Sequence, residues 1–268
     1  MLIDSLETSP MIEGILVRKT PFQDRHLIGD LILRNGKKQG VLFFGGLGGG
    51  KKVKPNNLEI GKLYNVSFKT PIKGDLIQTK EWQIKWSHEQ IRYDYWKFLL
   101  LNFLCELSAQ TAIPQEDVLN DKDSQYHGLF NVLSNGIFFL ENQKIPPHDY
   151  HFCCYFIGKF MIDFGVMPQV NKCITCDLPL PKFAPSFLDI DKSGFQCSSD
   201  LCDGIKNGEN QEHIRIALAQ SANFNWKVFS VGMDQLKISS NQIKMLINYL
   251  IFHLNLEQDS LKTIKSLY

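Results

Sequence analysis

No stretch of this sequence is long and apolar enough to cross a bilayer. The longest apolar runs, Phe98–Cys105 and Met245–Leu256, are short and broken by Asn102, Asn248, Tyr249 and His253, whereas a spanning helix takes about 20 apolar residues. The first residues, Met1 to Glu7, have neither a basic n-region nor an apolar core, so no secretory signal is expected. Catalytic signatures are missing too. The seven histidines are scattered, with no His-Glu-x-x-His, no Gly-x-Ser-x-Gly and no defensible carboxylate pair. No internal repeat is visible, and the net charge is only +1. These absences exclude a membrane span and argue against an enzyme or a small-molecule substrate. They lead us to expect a cytoplasmic binding protein.

What is present fits a folded protein. The 268 residues are 44% hydrophobic and 12% aromatic, with 19 phenylalanines, enough for a sizeable core in one large or two ordinary domains. Charge is unevenly spread. Up to Lys85 there are 14 basic and 8 acidic residues, and after it 15 basic and 20 acidic. A cationic front and an anionic back are what a chain shows when one module meets a polyanion.

The fold class read from this text is α+β. From Met11 to Trp86 it is strand-like. A run from Gly14 leads to His26–Arg34, which ends on Asn35-Gly36, a strong hairpin signal. Lys38–Phe44 follows, then a glycine-rich loop over Gly45–Gly50, then Gly61–Lys69 with period-two alternation, then Leu76–Trp86. About five strands in about 75 residues is the content of a small barrel of OB type. After Ser87 the pattern turns helical. Ser87-His88-Glu89-Gln90 reads as an imperfect capping box, and helices are expected over Ser124–Gln143, Pro147–Phe164 and Ser239–Leu256. The expected domains are therefore 1–86, a barrel, and 87–268, a helical domain. Residues 171–209 read as irregular and in need of something else to order them.

Cysteine spacing suggests what that is. Cys173 and Cys176 form a Cys-x2-Cys knuckle; after twenty intervening residues Cys197 and Cys202 form a wider pair. Zinc takes four thiolates at tetrahedral corners, and two knuckles supply them. The metal would be structural, because all four positions are filled. A redox pair is disfavoured, since a proline-rich loop with Pro179, Pro181 and Pro185 follows where thioredoxin-like chemistry needs a helix. Cys105, Cys153 and Cys154 lie in apolar helical text and are expected in the core.

Gly45, Gly50 and Lys51 nearly spell a phosphate-binding loop, but Lys52 stands where a hydroxyl is needed and Pro55 blocks the helix that should follow. Asp163-Phe164-Gly165 resembles a kinase motif and fits a helix end better. The glycine loop reads more naturally as a cationic arm. Lys51, Lys52 and Lys54 would track a phosphate backbone and release counterions, with Arg18, Lys19, Arg25, Arg34, Lys37 and Lys38 as further phosphate contacts. By alternation one of Phe43 and Phe44 should face inward, and the other could stack on a base.

Several of these segments together resemble the RecO family of recombination mediators over nearly the whole chain. They are Glu13–Asp24 for the first barrel strand, Leu31–Val41 for the next strand and turn, and Gly45–Lys54 for the basic loop. The most specific is Phe164–Cys176, a helix end with Pro168 before the Cys-x2-Cys knuckle; the tail, His253–Ser266, is similar as well. The loop carries glycine and lysine where the family favours arginine, and the second knuckle is Cys-x4-Cys where Cys-x2-Cys is common. The resemblance implies an N-terminal OB barrel and a helical domain with an inserted four-cysteine zinc knuckle. It implies a bacterial DNA-repair protein of the cytoplasm and nucleoid that binds single- and double-stranded DNA. It would anneal complementary strands and assist RecA loading onto strands coated by single-stranded DNA-binding protein. Its partners would be RecR and the acidic C-terminal tail of that coating protein. A zinc-stabilised protein-interaction module without DNA function is the alternative from another class.

Overall fold

The computed structural model describes residues 11–47, 58–69, 76–116, 128–199, 202, 209–229, 236–257 and 259–267. Five strands, β1 (Met11–Phe22), β2 (His26–Leu33), β3 (Lys38–Phe43), β4 (Leu63–Phe68) and β5 (Leu76–Trp86), close into a barrel in the order β1-β2-β3-β5-β4. β3 and β5 are parallel, and the remaining neighbours, including the closing pair β1 and β4, are antiparallel. The period-two text accounts for the closure. β4 buries Tyr64, Val66 and Phe68 while Leu63, Asn65 and Ser67 stay half-buried. Leu16, Leu31, Val41, Phe43 and Ile77 fill the interior with them. One extra residue in β1, between Leu16 and Arg18, bulges the strand.

The Asn35-Gly36 turn forms as read. Gly36 has φ +82°, its N–H donates to Leu33 O, and Asn35 Oδ1 accepts the Lys37 N–H at 2.9 Å. The helices are α1 (Tyr95–Thr111), α2 (Gly128–Asn142), α3 (His151–Asp163), α4 (Glu212–Asn223), α5 (Ser240–His253) and the short α6 (Ile264–Leu267).

The chain divides into two compact units: Met1–Tyr93 with Leu101–Glu141, and Asp94–Leu100 with Asn142–Tyr268. That grouping is not a cut at 86/87. The C-terminal part of α1 and α2 up to Glu141 group with the barrel, and hydrogen bonds explain part of this. Lys38 N–H donates to Ile113 O at 2.8 Å, and Gln115 N–H donates to Lys38 O at 2.8 Å.

Helix starts depart from the sequence reading. Ser87 does not cap α1. A single 3-10 turn, Gln90–Tyr93, comes first, and Asp94 Oδ1 then accepts the Lys97 N–H. The amides near Ser87 are satisfied from far along the chain, because the Glu141 carboxylate accepts the N–H groups of Glu89, Gln90 and Ile91 at 2.8–3.1 Å. α3 begins at His151 rather than near Pro147, since His148 is left-handed (φ +60°) and Asp149 Oδ1 takes the His151 N–H. Its end is as read: Phe164 follows the last turn and Gly165 has φ +69°.

In the second unit α3 is buried on nearly all sides, as an all-round apolar helix must be. Cys153 and Cys154 sit in that core, and Cys105 is buried on α1. At Gly158 a Cβ would lie 2.1 Å from Ser221 Oγ, so α3 and α4 approach more closely than a larger residue allows. Residues 171–209 are less irregular than the sequence suggests. A two-stranded sheet, β6 (Ser186–Asp189) and β7 (Gly194–Cys197), lies within them. Among the described residues no helix is long and apolar enough to cross a membrane.

Candidate functional site

The cysteine cluster is built from two tight turns. Lys172 and Pro179 pair as an antiparallel bridge. Inside it, Cys173 N–H donates to Leu178 O at 2.8 Å and Asp177 N–H returns to Cys173 O at 2.9 Å, with Asp177 left-handed at φ +58°. The second turn follows β7, where Cys202 N–H donates to Ser199 O at 3.0 Å. Ile174 N–H to Phe195 O joins the two turns. Cys173, Cys176, Cys197 and Cys202 thereby bring all four sulfurs within 4.8 Å of one another.

The spacing suits a metal ion. Sulfur separations are 3.5 Å for Cys173 and Cys202, 3.7 Å for Cys176 and Cys197, and 3.4 Å for Cys197 and Cys202. Thiolates about 2.3 Å from a tetrahedral zinc ion would stand about 3.8 Å apart, whereas a disulfide needs about 2.05 Å. None of the four is in a disulfide. Burial pushes the Cys173 thiol up, but the backbone N–H groups of Cys176, Cys197 and Thr175 outweigh it and hold it at about 6. The Cys197 N–H points at that sulfur from 3.3 Å. The Cys202 thiol is raised by burial and by its cysteine neighbours; all four sulfurs can ionise together only around a cation, which this donor set is able to hold.

A residue that the sequence reading missed secures the cluster from behind. Arg215 on α4 is 3% exposed. Its guanidinium donates to Ser186 Oγ and to the carbonyls of Val170, Leu180, Pro181 and Lys182, at 2.5–3.3 Å. Those five bonds match the five N–H donors of the group. The acceptors bracket the first knuckle and the start of β6. No motif foretold this, because an arginine bonded to main-chain oxygens needs no side-chain partner of any particular type.

The expected phosphate-binding residues fall into three groups. Arg18, Lys19 and Arg25 are exposed, Arg25 in the β1–β2 turn and Arg18 and Lys19 midway along that ladder opposite Asp30 and Gly29, although Lys19 Nζ donates to Leu58 O at 3.0 Å. Arg34, Lys37 and Lys38 lie beyond the other end of β2, about 26 Å of strand from the turn that carries Arg25. There Arg34 pairs with Glu13, which also takes Lys85, and its guanidinium carbon stands 4.7 Å from the Phe130 ring centre. Lys38 Nζ donates to Ala109 O at 2.7 Å. Lys51, Lys52 and Lys54 lie outside the described residues. The structure thus strings Arg25, Lys19, Arg18 and Arg34 along the β1–β2 ladder and gives Arg34 and Lys38 partners of their own.

Lys69 was not singled out from the sequence, yet it belongs with the first group. Its Nζ stands 5.2 Å from the centre of the Phe44 ring. Phe43 is fully buried and Phe44 is 37% exposed. The alternation rule therefore named the right pair, and the register placed Phe43 inside. At the far end of the barrel a cavity of about 300 Å³ lies between Ile15, Leu63 and Trp86 of the strands and Phe130 and Phe138 of α2, with Arg34 in its lining.

Compared with models of known protein families and with curated proteins, the chain matches none.

Proposed function

We propose that this chain is a DNA-binding recombination mediator of the RecO type, with a barrel of OB type, a structural zinc ion on Cys173, Cys176, Cys197 and Cys202, and no catalytic chemistry. The observation that carries the reading is the strand order. A closed five-stranded barrel running 1-2-3-5-4, with its third and fifth strands parallel, is a scaffold suited to single strands, and here it precedes helices and a four-cysteine cluster in one chain. The cations along the β1–β2 ladder supply the attraction for phosphate, and the Lys51, Lys52 and Lys54 arm would add to it. Neutralising two backbones on one surface lowers the repulsion between complementary strands, so annealing needs no bond to be made or broken. RecR and the acidic tail of single-stranded DNA-binding protein are the partners that this reading brings with it.

Strand annealing tests it. Complementary oligonucleotides, naked and coated with single-stranded DNA-binding protein, should anneal faster with the protein than without. Replacing Lys51, Lys52 and Lys54 together by Ala should weaken binding uniformly across sequences and lower the salt slope by about 3. No measurable DNA affinity at low salt would overturn the reading and select the protein-interaction module.

A further inference from the structure

Three aromatic rings line up at the β1–β2 end of the barrel. Phe22 and His26 are directly opposed in the β1–β2 ladder, and opposed residues project to the same face. His26 meets Phe44 edge-on, with ring centres 4.6 Å apart. Phe22 is 38% and Phe44 37% exposed, in a barrel whose other described phenylalanines, Phe43 and Phe68, are buried. The backbone that carries Phe44 is tied down. Its own N–H donates to Thr79 Oγ1, the next N–H, from Gly45 at φ +69°, donates to His26 Nδ1, and Gly46 N–H donates to Phe43 O. Cations flank it. Lys69 lies over the ring, and Arg25 sits exposed in the adjoining turn, where its carbonyl accepts the Leu47 N–H. Asp24 is the one exposed acid in that turn.

An aromatic face left partly open costs hydrophobic burial, and a flexible lysine covers it only loosely. Its natural occupant is a flat, electron-rich ring attached to an anion. We infer that Phe44 is a stacking platform for one unpaired nucleobase, with Lys69 moving from the ring face to the adjoining phosphate as the base arrives. This inference rests on the nucleic-acid reading and narrows its substrate class to strands with unstacked bases, because in a duplex the base faces are already covered. Phe22 extends the same edge, and the base's sugar–phosphate would run past Arg25.

The test separates bases from phosphates. Fluorescence anisotropy at one salt concentration compares the whole protein's affinity for an oligothymidylate with that for an abasic strand of equal length and charge. The base-bearing strand should bind about 5- to 150-fold more tightly, the range for one stack. Phe44→Leu keeps the apolar volume but loses the aromatic face, so the ratio should fall towards one while the salt slope stays unchanged. Phe44→Trp should keep or raise the ratio, and circular dichroism establishes that both variants fold. Equal affinity of the parent for the two strands, or a ratio unmoved in Phe44→Leu, overturns the platform and leaves phosphate binding standing. Failure of both strands to bind at low salt overturns the nucleic-acid reading and the platform together.

Discussion

Eleven buried residues between Leu16 and Ile77 hold the barrel closed, and none carries a charge. The segment from Val170 to Cys202 is built the other way. Its two strands are four residues each, and its ties are four sulfurs and a buried guanidinium bonded to main-chain oxygen. Apolar burial is non-directional and survives the loss of one partner. Ligation and charged hydrogen bonding are directional, and a group left behind without its partner is costly. One region should therefore degrade gradually under substitution, while the other should fail as a unit.

The largest effect that would expose this difference is metal loss. On the proposed zinc reading, a strong chelator, or Cys173→Ser, should take the protein from one bound metal ion to none. Hydrogen exchange should then rise across β6, β7 and the knuckle while the barrel strands keep their protection. Thiolate–zinc sites in small domains supply about 10–16 kcal/mol of folding energy. Unchanged protection of Ser186–Cys197 after metal removal would erase the contrast. Arg215→Met comes next. It removes five donors from four carbonyls and a hydroxyl, of which Pro181 O keeps the Ala184 N–H, at a cost on the order of 3 kcal/mol. A lower urea midpoint and faster release of metal to a weak chelator would show it. Arg215→Lys should recover only part of the loss, since an ammonium has three donors and no planar fork.

The smallest effect lies in the first unit, where Glu141 holds the 3-10 turn that follows β5. Burial raises the Glu141 carboxyl, but N–H bonds from Gln90, Glu89 and Ile91 outweigh it and hold its pKa below the usual carboxylate value. A depressed folded-state pKa gives stability that is complete above the unfolded value and fades as pH falls through the folded one. Thermal midpoints of the parent should drop over that acid range by the equivalent of about 1 kcal/mol. Glu141→Gln should be less stable at neutral pH and flatter in acid. A parallel acid limb in both proteins would show that the carboxylate adds nothing there.

Legibility in the sequence followed the range of the forces. The strands, the Asn35-Gly36 turn and the end of α3 at Gly165 were readable because alternation, φ preference and capping act within a few residues. The convergence of the four cysteines was readable because knuckle spacing is local twice over. The starts of α1 and α3 were misplaced, and β6 and β7 were unread, because their determinants lie elsewhere. Glu141 serves amides some fifty residues away, and four-residue strands carry too little pattern to stand out. The basic residues were counted correctly, but their spread along the β1–β2 ladder was not foreseen. Charge along a chain says nothing of which lysine will find a carbonyl or which arginine a glutamate, as Lys38 and Arg34 do.

The sequence alone determined that Leu16 through Ile77 would form a β-rich module and that four cysteines would converge, since periodicity and spacing are properties of neighbours. Only the tertiary structure decided that Arg215 would clamp the knuckle, that Phe44 and not Phe43 would face water beside Lys69, and that Arg34 would spend its charge on Glu13. Each of those depends on which distant backbone atoms closure of the fold brings within about 3 Å, where hydrogen bonds and ion pairs begin to act.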